Sequence, residues 1–209
     1  MRNSICGSLV LTGAYLLVSA GAWAQQVPSA QKQSPASVDL AATFSAEGAK
    51  LATASGGTFW LKGGGVDAAV TLWKGFGVAA GLNGEHAANA GTGVDVNEVE
   101  VAAGPRYTYS AWSARSGASD SRRLQLFGQG LVGMVHGFNG IYPNAFGAAS
   151  SANSLALDAG GGVNILFSER FGVRLLEADY VRTALPNNGS NVQNDLRVSF
   201  GVTYRLGRR

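Results

Sequence analysis

From Leu196 to Leu206 the chain alternates without a break. Leu196, Val198, Phe200, Val202, Tyr204 and Leu206 fall on one side, and Arg197, Ser199, Gly201, Thr203 and Arg205 on the other. A β-strand has a side-chain period of two, so this run presents one apolar and one polar face. Roughly ten such residues cross a bilayer obliquely, with one face towards lipid and the other towards a lumen.

The period recurs upstream. Val38 to Glu47 sets Val38, Leu40, Ala42, Phe44 and Ala46 against Asp39, Ala41, Thr43, Ser45 and Glu47. Gly65 to Trp73 sets Val66, Ala68, Val70 and Leu72 against Asp67, Ala69, Thr71 and Trp73, and Lys74-Gly75 turns it into Phe76 to Glu85. A two-residue turn between alternating runs marks a hairpin. Asn97 to Tyr109 carries Glu98, Glu100 and Arg106 on its polar face, and Pro105, which lacks a ladder donor, predicts a bulge or bend there. Leu124 to His136 is the least regular strand, because Phe127, Leu131 and Val135 share a face with Gln125 and Gln129. Leu155 to Phe167 restores the pattern, and Ser168-Glu169-Arg170 turns it into Phe171 to Thr183. In that seventh strand Glu177 and Asp179 join the side of Arg174 only if Leu175-Leu176 absorbs one extra residue, which predicts a β-bulge.

The spacing between strands is informative as well. Long connections are expected at Gly48 to Gly64, His86 to Val96, Gly137 to Asn153 and Ala184 to Asn194, and short ones at Lys74-Gly75 and Ser168 to Arg170. Long connections at one end and short turns at the other are what outer-membrane barrels show. Ala111 to Ser121 is longer than that scheme expects.

The chain starts with Arg2, an apolar run from Ile5 to Ser19 and Ala22-Trp23-Ala24, which together read as a signal peptide over residues 1–24. Residues 25–37 are rich in Gln, Ser and Pro and are expected to be a flexible periplasmic leader, with the barrel at 38–206 and a short tail at 207–209. The one cysteine, Cys6, lies in the signal, so the mature chain is expected to lack disulfides, thiol nucleophiles and thiolate metal sites. The net charge of +3 comes from dispersed cations rather than a basic patch with interleaved aromatics, so no nucleic-acid partner is expected.

Alternation alone fits a soluble barrel turned inside out. The composition of each face decides between them, because the polar face is sparse and rich in Gly, Ala, Ser and Thr, which suits a narrow interior, and the bulky apolar face suits hydrocarbon. Tyr107, Tyr109, Phe171, Tyr180, Tyr204 and Trp73 lie near strand ends, as interfacial girdles require. The lumen then receives Glu98, Glu100, Arg106, Asp158, Arg174, Glu177, Asp179, Arg197 and Arg205. Unpaired, each would cost several kcal/mol, so Arg174 and Arg197 are expected to pair with Glu177 and Asp179, and Arg106 with Glu98 or Glu100.

With Gly104-Pro105-Arg106-Tyr107, Leu126-Phe127-Gly128-Gln129, Gly160-Gly161-Gly162 and Arg174 to Tyr180 added to the last strand, the chain resembles the outer membrane protein β-barrel domain family, related to the OmpA-like barrel. The resemblance covers Val38 to Leu206 and implies an all-β, eight-stranded, antiparallel, up-and-down transmembrane barrel of the bacterial outer membrane. Where such barrels commonly end on an aromatic, this one has Leu206 followed by Gly207-Arg208-Arg209, so recognition by the assembly machinery is expected from the strand pattern. No wall-binding domain is expected after the barrel.

Catalytic signals are weak. His86 and His136 are too far apart for a metal site, and His86 with Glu85 reads as a loop pair. His136, Ser154 and Asp158 have no triad spacing signature. Gly160-Gly161-Gly162 is not a phosphate cradle because no helix follows; strand curvature or close packing explains it. The expectation is a non-enzymatic structural or interaction barrel, without cofactor or metal, monomeric, with outer-membrane lipid as its surroundings and loops whose ligand is unknown. A narrow pore and a lipid-modifying enzyme are the alternatives.

Overall fold

The computed structural model describes residues 37–50, 57–88, 90, 93–116, 120–144, 147–186 and 191–207. Eight strands follow in order: β1 (Ser37–Lys50), β2 (Thr58–Trp73), β3 (Phe76–Ala87), β4 (Val96–Ser116), β5 (Asp120–Asn144), β6 (Gly147–Leu166), β7 (Phe171–Thr183) and β8 (Gln193–Leu206). Each pairs antiparallel with its neighbours in sequence, and β8 closes on β1 from Val38↔Leu206 to Gly48↔Leu196. Closure removes both sheet edges, so the ladder satisfies backbone groups that neither hydrocarbon nor a dry interior could serve.

The side chains sort as the alternation requires. In β8 Arg197, Ser199, Thr203 and Arg205 are buried inside the barrel, whereas Leu196, Phe200, Val202 and Leu206 stand outside. Phe44, Val66, Leu82, Val101, Met134 and Leu155 extend this exposed apolar surface around the wall. In β5 the irregular face points inward, burying Phe127, Leu131 and Val135 beside Gln125.

Two register irregularities differ in what the sequence revealed of them. The β7 bulge lies where expected, since pairing to β8 shifts between Arg174 and Glu177 and pairing to β6 shifts at Val163/Asn164. Leu175 and Leu176 consequently both face outward. No bulge occurs at Pro105, which pairs in register with Val78; β4 shifts instead between Ser110 and Trp112. β3 ends at Phe76↔Tyr107, so the shift falls where β4 has passed its β3 neighbour and only β5 constrains it.

Several expected connections are strand. Thr58 to Gly64 belongs to β2, Ala111 to Ser116 extends β4, and β5 and β6 continue as a ribbon through most of Gly137 to Asn153. At the short-turn end Lys74 and Gly75 adopt φ of 47° and 90°, the left-handed pair that a tight hairpin needs, and Gly75 lies where a Cβ would strike the Thr108 carbonyl. The proposed signal, residues 25–36 of the leader and Arg208-Arg209 lie outside the described residues.

Candidate functional site

The barrel interior is filled by layers of side chains. Nearest the short-turn end, Arg205 donates to both Asp39 oxygens at 2.6 and 2.9 Å and to Gln125 Oε1 at 3.0 Å, joining β8, β1 and β5 across the lumen. Above it, Arg174 Nη1 reaches Asp67 Oδ2 at 2.6 Å and Glu177 Oε2 at 2.7 Å, and Arg106 Nη1 reaches Asp67 Oδ1 at 3.1 Å. Gln129 accepts from Arg106 Nε at 2.9 Å and donates to Glu177 at 2.9 Å and to Asp179 at 3.3 Å. Both guanidiniums pack against the Phe127 ring, that of Arg106 at 4.5 Å and that of Arg174 at 4.8 Å from its centroid. Cation–π attraction adds to the ion pairs here, where water is scarce.

Gly162 makes this stack possible. A Cβ there would lie 2.5 Å from the Leu176 carbonyl oxygen and 2.8 Å from Phe127 Cζ, so any larger residue would displace the ring on which the two arginines pack. The glycine run thus serves close packing.

A second tier lies towards the loop end. Arg197 donates to Glu100 Oε2 at 2.8 Å and to Asp158 Oδ2, and its Nη1 is 3.6 Å from Glu47 Oε2. Ser45 donates to Glu85 at 2.6 Å, and Glu98 lines the same small cavity as Glu47, Glu85, Glu100 and Arg197. Glu100 Oε1 and Asp158 Oδ1 are buried without a hydrogen-bond partner. Above this tier the interior turns apolar: Ala49, Leu61, Ala87 and Ala90 cluster on one side, and Val135, Tyr142, Ala156 and Leu185 on the other.

All nine charged residues singled out in the sequence lie in the lumen, but their pairing differs in part. Arg174 does pair with Glu177, as expected. Arg197 sits opposite Asp179 in the β7–β8 register, yet bridges to Glu100, Asp158 and Glu47 on other strands. Arg106 does not pair with Glu98 or Glu100; it takes Asp67 and Gln129. Glu100 lies six residues up the same strand, roughly 20 Å away at about 3.3 Å per residue, whereas Asp67 faces Arg106 within the lumen. Asp39, Glu47, Asp67 and Glu85 complete the network, and the first three stood on polar strand faces in the sequence.

The other candidate groups separate. His136 is exposed on the outer wall, where Nδ1 bonds Asn153 Oδ1 at 2.7 Å, whereas Asp158 is buried inside with Arg197. Ser154 Oγ accepts from the Ala184 N–H at 3.1 Å, so no triad forms from these three residues. Glu85 and His86 are not a loop pair: they are adjacent in β3, one inside and the other outside. Among the described residues, no group of three or more His, Cys, Asp or Glu side chains could hold a metal ion.

Of the expected aromatics, Trp73, Tyr107, Tyr109, Phe171 and Tyr204 collect near the short-turn end, joined by Phe76 at 4.7 Å from Tyr107 and by a Phe171–Tyr204 contact at 4.9 Å. Tyr180 stands at the opposite end of β7, donating to Asn194.

A closed antiparallel wall of eight strands, apolar outside and ionic within, is the fold of the OmpA-like outer-membrane barrels. Among solved structures the chain is similar to Neisserial surface protein A, with a TM-score of 0.52 and 12% identity over 84% of this chain and 99% of that one. It also matches Ail, the attachment invasion locus protein of Yersinia pestis, with a TM-score of 0.46 and 14% identity over 81% and 98% of the two chains. No protein-family model matches the chain, and no curated protein does.

Proposed function

We propose that the protein is a non-enzymatic barrel of the bacterial outer membrane, held in lipid by its apolar wall, closed to solutes along its axis, and presenting its loop end for structural or interaction roles. The sealed lumen carries this reading. Four arginines bridge strands on different sides of the barrel, and two cavities lined by Arg197, the larger also by Arg106, measure only about 10 and 20 Å³, room for about one water each. A continuous aqueous path needs a wider file than that, so a narrow pore is the weaker reading.

Planar-bilayer recording tests the proposal. Native protein is expected to leave the membrane at baseline conductance, whereas R174A/R197A, which removes both central cross-links, is expected to produce flickering openings. Steady single-channel steps from native protein would replace the sealed-barrel reading with the pore.

A further inference from the structure

The outer wall carries no acidic side chain among the strand residues whose side chains are described, yet it does carry Lys62, His86, His136 and Arg182, all exposed and all towards the loop end. Each faces a polar or cationic neighbour across the ladder. Lys62 is in register with His86 and His86 with Asn97; His136 is in register with Asn153, and Arg182 with Asn194. These pairs place a residue on each of the seven strands from β2 to β8.

Three asparagines in this row are held alike. His86 Nδ1 meets Asn97 Oδ1 at 2.9 Å, His136 Nδ1 meets Asn153 Oδ1 at 2.7 Å, and the Tyr180 hydroxyl donates to Asn194 Oδ1. With each carbonyl oxygen occupied, what each asparagine amide has left to offer a ligand is its N–H donors. Lys62 and Arg182 contribute only donors, so the row as a whole matches an anionic ligand rich in acceptor oxygens.

Its height fits a membrane surface. From Asn97 down β4 to Tyr109 in the aromatic girdle, the strand runs roughly 40 Å, or about 30 Å along the normal at the usual barrel tilt, which is one hydrocarbon thickness. Between the two levels the outward positions of β4 are Val99, Val101, Ala103, Pro105 and Tyr107. Trp60, exposed one outward position beyond Lys62, suits the same interface.

We infer that this row, with Lys62 and Arg182 as its fixed charges, binds the phosphate groups of lipid headgroups packed against the loop end of the wall. The inference rests on the membrane placement proposed above. Charge complementarity selects the occupant: exposed cations and amide donors at headgroup depth outweigh the exposed carboxylate of Asp95, which precedes β4 two residues before Asn97, and favour phosphorylated lipid over a protein surface.

The full chain folded in detergent micelles, titrated with lipid A bearing two phosphates, provides the test. The native protein is expected to hold the lipid, with a raised unfolding midpoint read from folded and unfolded gel bands. K62Q/R182Q is expected to bind roughly tenfold or more weakly, K62R/R182K to bind as the native chain does, and lipid A stripped of phosphate to bind neither variant nor native protein tightly. Equal binding by K62Q/R182Q, equal binding of the dephosphorylated lipid, or the same midpoint shift from inorganic phosphate alone would overturn the inference. A chain that remains in water without detergent would instead sink the membrane reading itself; one that enters micelles but ignores the phosphates sinks only this step.

Discussion

The two halves of the lumen solve the burial of charge differently. In the turn-side half Arg106, Arg174 and Arg205 face Asp39, Asp67 and Glu177, so cations and carboxylates balance and each arginine reaches two acceptors or more. In the loop-side half a single guanidinium, Arg197, sits among Glu47, Glu85, Glu98, Glu100, Asp158 and Asp195, while Asp179 lies at the boundary of the two halves, held by Gln129. A buried ion pair is stabilising only when geometry and hydrogen bonds offset desolvation. The turn-side network meets that condition locally, whereas the loop-side one depends on one residue.

That difference can be broken most forcefully at Arg197, which is 3% exposed and touches carboxylates from β1, β4 and β6. R197M leaves them buried without their shared partner and is expected to destabilise the folded barrel by about 3–5 kcal/mol, measured by urea titration of the folded gel band. A loss below about 1 kcal/mol would mean that water or protons already neutralise the cluster. The packing of the turn-side half is probed by G162V, whose side chain collides with Phe127; overpacking of this kind is expected to cost about 1–3 kcal/mol by the same titration. The smallest effects sharpen the contrast through their sign. D67N removes a carboxylate that serves two arginines and should destabilise, whereas E98Q relieves crowding in the acidic half and should leave stability unchanged or raise it by about 1 kcal/mol or less. Matching signs for the two substitutions would refute the division of the lumen into a balanced and an acidic half.

What the sequence disclosed depends on where each residue sits. Inside the proposed bilayer span one face meets lipid and the other a polar lumen, so β1, β4 and β8 sort by period two and even the extra residue at Leu175-Leu176 appears as a slip of phase. Beyond that span both faces of the β5–β6 ribbon meet similar surroundings, and stretches such as Gly147 to Ser151 lose the alternation that would mark them as strand. Cross-lumen partners were also hidden. Arg106 with Asp67 joins positions on non-adjacent strands, a pairing fixed by tilt and height rather than by local spacing. The outer row of Lys62, His86, His136 and Arg182 was visible only as scattered polar residues until ladder registers set them side by side.

The additional leucine in β7 has a consequence for how such a wall can evolve. Arg174 and Glu177 stand an odd three positions apart and share the interior only because the bulge absorbs the extra residue. A strand that kept both leucines but lost the bulge would exchange inside for outside along one flank, sending either the guanidinium or the two carboxylates that follow it into hydrocarbon, whereas excising Leu175 would leave plain alternation with Arg174 and Glu177 both inside. Lineages of this barrel should therefore gain or lose residues within wall strands in even numbers, and accept odd changes only where a bulge arises or disappears with them or beyond the bilayer, where inside and outside no longer differ.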